Sequence, residues 1–279
     1  MEEYMSSSIN YLTIRDESGK VIHPGELWSP ISGCSGQNCP TKDTCWAKDM
    51  VKRFQHIHQP KFRKRCDKYG IETPFPFSEP QFHPDRLDKP LHWKKPRRIG
   101  VCFMSDLFDE QVPFDWVGEV WAAIRQSPQH QFFILTKQVL RMLEWHKFTQ
   151  RLVNYSHPEN IYWGVSITSQ ADADRMIPEL LRIPGKKWIS IEPFMKGPID
   201  IDWALGKIAG TKLPYIELVI IGCHNRPKLY PCPHAWMLSI VEQCKAAGVP
   251  VWVKQVQIGN KCVTDITKFP KELQVRECG

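Results

Sequence analysis

The chain has 279 residues, 42% of them hydrophobic, and a formal net charge of +7. This length and apolar content suit one large α/β core, and they exceed what a small disulfide-stapled secreted scaffold contains. No apolar run approaches the roughly 18 residues of a membrane span, so a soluble protein is expected. The opening MEEYMSSSIN also lacks the basic start and apolar stretch of a secretory leader, which predicts a reducing, cytoplasmic setting.

The first strand-like run is 26–31, and a polar segment, GCSGQNCPTKDTCW, follows it directly. It places Cys34, Cys39 and Cys45 within twelve residues. Other cysteines read as core: Cys102 lies in the apolar run IGVCFM, and Cys244 recurs at helical spacing with Met237, Ile240 and Val241. The trio instead sits among Ser, Gly, Gln, Asn, Lys and Asp, with no apolar face to bury. Structural zinc takes four protein ligands and a cubane cluster has four irons to satisfy. Three thiolates at Cys34, Cys39 and Cys45 therefore predict a metal centre with one position left open for chemistry. Recruitment of His56 or His58 as a fourth ligand would instead close a zinc site, the signature of a nucleic-acid-binding module.

From Phe54 to Pro96 the hydrophobic rhythm breaks into a Pro-, His- and base-rich stretch. This predicts an excursion over one end of the sheet, inserted between the first helix and the second strand. Residues 52–98 hold thirteen Lys and Arg against five Asp and Glu, which accounts for the whole positive excess. Such a cluster attracts polyanions, and it makes Lys61, Arg63, Lys64 and Arg65, with Lys94, Lys95, Arg97 and Arg98, candidate nucleic-acid contacts. Ordinary solvated charge is the competing explanation.

Nearly continuous apolar runs at 99–104, 132–136, 161–167, 188–191, 218–222 and 251–253 have the character of strands buried on both faces of a parallel sheet. Between them lie helical patterns such as Phe114, Val117, Val120, Trp121, Ile124, or Met176, Ile177, Leu180, Leu181. Pro113 and Pro233 suit first turns and Gly248 a helix end. The alternation predicts a single domain over 1–279: a partial or irregular parallel (β/α) barrel with a C-terminal extension over 256–279. Catalytic groups of such barrels come from the carboxyl ends of the strands. Here those ends read Ser105-Asp106, Thr136-Lys137, Ser166, Glu192, His224-Asn225 and Lys254-Gln255.

A cysteine loop after the first strand resembles the radical S-adenosylmethionine superfamily. The phrases FMSDLFDEQVP, FFILTKQ, IYWGVSITSQADADRMIPELL, WISIEPFMKGPID and AAGVPVWVKQ are similar to a phage-associated, radical-SAM-like family whose members are mostly of unknown function. The resemblance runs from Trp28 to Gln255 and implies a barrel of the radical SAM type. It further implies a 4Fe-4S cluster on the three cysteines, S-adenosylmethionine as cofactor, and a flavodoxin- or ferredoxin-type electron donor. Residues placed for the cofactor are Trp46, Ser105, Asp106, Lys137, Ser166 and Glu192; those placed for catalysis are Glu192, Lys254, Cys223 and His224. The implied substrate is DNA or a nucleotide in a host cytoplasm. The specific expectation is an isomerase that rearranges an amino-acid-like substituent on thymine in DNA hypermodification, with a radical DNA repair lyase next. Two features depart from the pattern. The cysteine spacing is four then five residues instead of three then two, and Cys223, His224 and Asn225 replace a Gly-Gly-Glu-Ser-like turn.

Overall fold

A computed structural model of the chain describes residues 10–15, 20–23, 25–151, 158–205 and 215–277. The start of the opening MEEYMSSSIN segment lies outside them. Its centre is one eight-stranded sheet. Seven strands run parallel in chain order: β1 (Gly25–Trp28), β2 (Arg98–Val101), β3 (Gln131–Thr136), β4 (Ile161–Ser166), β5 (Lys186–Ile191), β6 (Leu218–Gly222) and β7 (Val251–Ile258). The eighth, β8 (Lys261–Val263), returns antiparallel against β7.

This corrects the expected fold. The sheet is an open half-barrel whose edge strands β1 and β8 do not pair with each other, and one edge is antiparallel, so it is not the radical SAM type of (β/α) barrel. Among the described residues the helices are few: α1 (Trp46–Arg53), α2 (Phe114–Arg125), α3 (Val139–Thr149), α4 (Gln170–Leu181), the four-residue α5 (Asp202–Leu205) and α6 (His234–Ala247). Where a full helix should link β5 to β6, the described residues supply only α5.

Side-chain parity sorts the sheet into two faces. Ile99 and Val101, Phe132 and Ile134, Trp163 and Val165, Ile189 and Ile191, Val219 and Ile221, and Val251 and Val253 meet the apolar stripes of the helices in the main core. The alternate positions carry Phe133, Tyr162, Trp188, Leu218, Ile220 and Trp252, which form a second core with Tyr11 and Leu12 of the N-terminal segment. Phe133 and Tyr162 stack with centroids 4.4 Å apart. The Trp188 indole lies across β4, donating to Ile134 O and Tyr162 O at 3.1 and 3.2 Å. Only glycine fits at position 164 beneath it, since a Cβ there would stand 2.3 Å from Trp188 Nε1. This aromatic plug fills the inner face at mid-strand, at about 1.5–3 kcal/mol for each fully buried large side chain, and leaves the carboxyl end hollow.

Element ends have local causes. The first strand stops at Trp28, short of the expected Ile31, because Pro30 has no N–H for a ladder; Ile31–Ser32 then pair with Gln81–Phe82 of the excursion. β2 stops at Val101 because Cys102 turns left-handed at φ 56°. Pro113 and Pro233 stand just before the first helical residues, and Gly248 ends α6 at φ 66°. β7 runs on to Ile258, so the expected extension begins as sheet. After it, Val275–Glu277 fold back along β7, with Val253 N–H bonded to Val275 O at 2.9 Å.

Candidate active site

The hollow end of the half-barrel is a cavity of about 650 Å³. Its floor is the top of the aromatic plug, Tyr11, Phe103, Leu135 and Trp252. Its wall is the ring of strand ends: Ser105, Asp106, Thr136, Lys137, Ser166, Ser190, Glu192, Cys223, His224, Asn225, Lys254 and Gln255. Every candidate catalytic and cofactor residue read from the sequence lines this one space, including Trp46. Parity explains it, because residues such as Ser190 and Glu192, or Trp252 and Lys254, continue the inner face of their strands past the plug.

The cysteine loop roofs the cavity and is fastened around its mouth. Buried Asp109 accepts from Ser35 N–H at 2.9 Å, Ser35 Oγ at 2.8 Å and Cys34 Sγ at 3.2 Å. Gln138 Nε2 donates to Gln37 O at 3.0 Å. Across the mouth, His224 Nδ1 accepts from Arg226 N–H at 2.9 Å, so its proton sits on Nε2 and is donated to Thr44 Oγ1 at 3.1 Å. Burial first, and then the Arg226 charge, lower the His224 pKa and keep the ring neutral. An Arg226–Asp49 ion pair at 2.9 Å adds a second tie to α1.

Within the ring the roles separate. Lys254 Nζ meets Glu192 Oε1 at 2.6 Å, and Gly222 leaves room for both Glu192 and Gln255, whose side chains a Cβ there would touch at 3.2 Å. Tyr11 is held protonated by burial and then by the Glu192 charge, which makes it a hydrogen-bond donor at the floor. Asp106 and Ser105 line the cavity with bonds already made to the scaffold. Asp106 accepts from Thr136 Oγ1, Phe108 N–H and Lys137 N–H at 2.7, 2.9 and 3.0 Å, while Ser105 Oγ donates to Ile31 O at 2.8 Å. Ser166 Oγ reaches only Glu192 O, at 3.4 Å. Cys223 is committed too: its S–H bonds the Cys262 sulfur, and this bond, followed by burial, holds it protonated. It borders the cavity without offering a free thiolate.

The thiols of the trio are three free cysteines, each half-buried. In kind and number they fit a three-thiolate centre. In position they are separate: Cys34 is bonded to Asp109, Cys39 lies 3.2 Å from Thr41 Oγ1, and only Cys45 lines the main cavity. Among the described residues no three Cys, His, Asp or Glu side chains form a metal-holding group. Gathering them requires Cys34 to leave Asp109 and to ionise, and in its present place burial and then the Asp106 and Asp109 charges raise its pKa and oppose the thiolate. The zinc alternative loses His58, which is buried with Nδ1 on Ser32 Oγ at 2.9 Å and Nε2 on Pro76 O at 2.8 Å.

The basic candidates do not form one free face. Lys61 pairs with Asp85 at 3.0 Å, Lys64 with Glu72 at 2.5 Å, Arg65 with Glu79 at 2.6 Å, and Arg97 with Glu26. Arg63 lies over Phe75 and donates to Gln81 at 3.4 Å. Arg98 is corrected outright: it is 4% exposed, bonded to Gln131 Oε1 at 3.0 Å and set over Phe133, so it closes the amino end of the sheet and cannot reach a phosphate. Lys94 and Lys95 are exposed.

Sequence reasoning missed Asp109, Thr44, Tyr11 and Arg276. Asp109 stands inside a phrase singled out for other reasons, and Tyr11 and Arg276 come from segments without a period to place them. A family described as a protein of unknown function, DUF5131, matches residues 19–278, and its span thus takes in the roof, the ring and the returning tail. The chain belongs to this family. No curated protein matches the chain. The DUF5131 match covers both the cysteine loop and Arg276.

Proposed function

We propose that the chain is an enzyme whose cysteine loop holds an iron-sulfur cluster and whose cavity receives S-adenosylmethionine together with a nucleic-acid base or nucleotide. The observation that carries this reading is a fastened loop with three unbridged cysteines, one of which, Cys45, lines the polar cavity beneath it. When bound through Cys34, Cys39 and Cys45, the cluster would supply a single electron for radical chemistry on an unactivated C–H bond. The chain's own groups do the rest. Lys254 and Glu192 present one cation and one carboxylate side by side, able to orient an amino-acid-like substituent. Tyr11 donates a hydrogen bond from the floor, and Phe103 and Trp252 offer flat apolar surface to a base while excluding water. The Thr44–His224 and Asp49–Arg226 ties hold the roof down over a reactive species. The reaction this favours is rearrangement of an amino-acid-like group on thymine.

The test is iron and sulfide content with the absorption spectrum of anaerobically purified, reconstituted protein. About four irons and a broad band near about 400 nm are expected. Each of Cys34→Ala, Cys39→Ala and Cys45→Ala should lose them, whereas Cys66→Ala, at an exposed position off the loop, keeps them. Release of 5′-deoxyadenosine from S-adenosylmethionine under reductant should follow the same pattern. Reconstituted protein that remains colourless and iron-free overturns the proposal.

A further inference from the structure

The charges of the cavity do not balance, and the imbalance has one location. Glu192 is paired with Lys254. Asp106 is spent on main-chain and hydroxyl donors, and burial raises its pKa against these bonds and the nearby Lys137 charge. Arg276, from the returning C-terminal segment, also lines the cavity. Its Nε donates to Val253 O at 3.2 Å, and its Nη2 to Lys254 O and Thr264 O at 3.3 and 2.7 Å. Its guanidinium lies 5.3 Å from the Trp252 ring centroid and 5.6 Å from that of Phe269. The acid whose charge acts on it, Asp265, is bonded to Thr267 and Lys268. Arg276 is therefore a half-buried cation fixed by three carbonyls and two rings, with Nη1 not used in any of these bonds. A guanidinium held rigid in this way loses little entropy on meeting a planar or tetrahedral oxyanion.

We infer that Arg276 is the oxyanion-reading residue of the cavity, and that it anchors the phosphate or carboxylate of a small ligand taken up whole. The inference rests on the proposed function for its ligand class, and it moves that class from polymer to monomer. Two further observations agree with the small-ligand form. The cavity volume of about 650 Å³ lies within the range of small-molecule sites. Of the eight basic candidates for phosphate recognition, four are ion-paired and Arg98 is buried.

The experiment is calorimetric binding to the full chain as purified, with iron content recorded but not required. Two ligand pairs are compared, thymidine 5′-monophosphate against thymidine, and S-adenosylhomocysteine against 5′-methylthioadenosine, beside a 20-base-pair duplex. In at least one pair the member that bears the phosphate or carboxylate should bind about tenfold tighter or more, the scale of one charge-assisted hydrogen bond. Arg276→Gln should erase that difference and leave the neutral member unchanged. The first pair identifies a substrate phosphate and the second a carboxylate. Because the wild-type comparison needs no variant, it stands even if Arg276→Gln folds poorly, and Arg276→Lys, which keeps the charge, should retain part of the preference. Equal binding within both pairs, an unchanged preference in Arg276→Gln, or tight binding of the duplex alone would overturn the inference. None of these outcomes bears on whether the cysteines hold iron, and an iron-free chain can still give the expected result.

Discussion

Replacing Gly164 with Ala tests the account of the inner face directly. Gly164 pairs with Trp188 across β4 and β5, and the added Cβ would lie 2.3, 2.4 and 2.8 Å from Nε1, Cε2 and Cδ1 of the indole. Ordinary contact begins at 3.4 Å, so the ring must retreat by roughly 1 Å, an overpacking shift of the kind that costs about 1–3 kcal/mol. The retreat also draws Nε1 away from the carbonyls of Ile134 and Tyr162, adding about 1 kcal/mol for a weakened buried hydrogen bond. The expected loss is about 2–4 kcal/mol, or roughly 3–7 °C in melting temperature for a chain of this size, read by circular dichroism and tryptophan fluorescence. Because Tyr11 and Phe103 pack on Trp188 and form the cavity floor, nucleoside affinity should fall as well. In a Trp188→Ala background the five-membered ring that carries the three obstructing atoms is gone, so the added methyl should cost much less there. A melting temperature within about 1 °C of wild type, or equal costs in both backgrounds, would refute the packing described.

Three further outcomes follow from the geometry. His83 is buried, with Nε2 on Ser32 Oγ at 2.6 Å; burial first, then Arg86, lowers its pKa from 6.5 to about 3, with Asp85 opposing and His58 adding. Since the unfolded chain then binds the extra proton, the stability present above the unfolded pKa is lost as pH falls toward about 3. The loss should be about 2 kcal/mol between pH 6.5 and 5, and denaturant titrations of His83→Gln should show a flatter decline; an unchanged slope would remove His83 from the account. In the basic region, Arg98→Glu should lower the melting temperature more than reversal of Arg63, Lys64 and Arg65 together, because only Arg98 is buried. Any affinity for duplex DNA should change by fewer than about two log units per log unit of salt, and a slope several times steeper would restore the excursion as a DNA-tracking face.

How much of this was legible in the sequence follows from the range of each signal. Periodicity is local, so the seven parallel strands, the helices α2, α4 and α6 and the polar residues at each strand end could be placed from neighbours alone. Ser166, Glu192, His224 and Lys254 all arrive at one cavity because a parallel sheet puts all its carboxyl ends on one side. The cysteine loop was equally visible, since polar surroundings and tight spacing mark it without reference to anything distant. What the sequence left open are matters settled between residues far apart in the chain. Closure of the sheet depends on whether β1 and β8 meet, and they do not. The charge of the excursion depends on which of its acids face which of its bases, and three of the five acids pair with its lysines and arginine. The state of each thiol depends on partners such as Asp109 for Cys34 and Cys262 for Cys223, 75 and 39 residues away in sequence. Arg276 reaches the cavity only because the tail folds back along β7, a long-range pairing that no local pattern encodes.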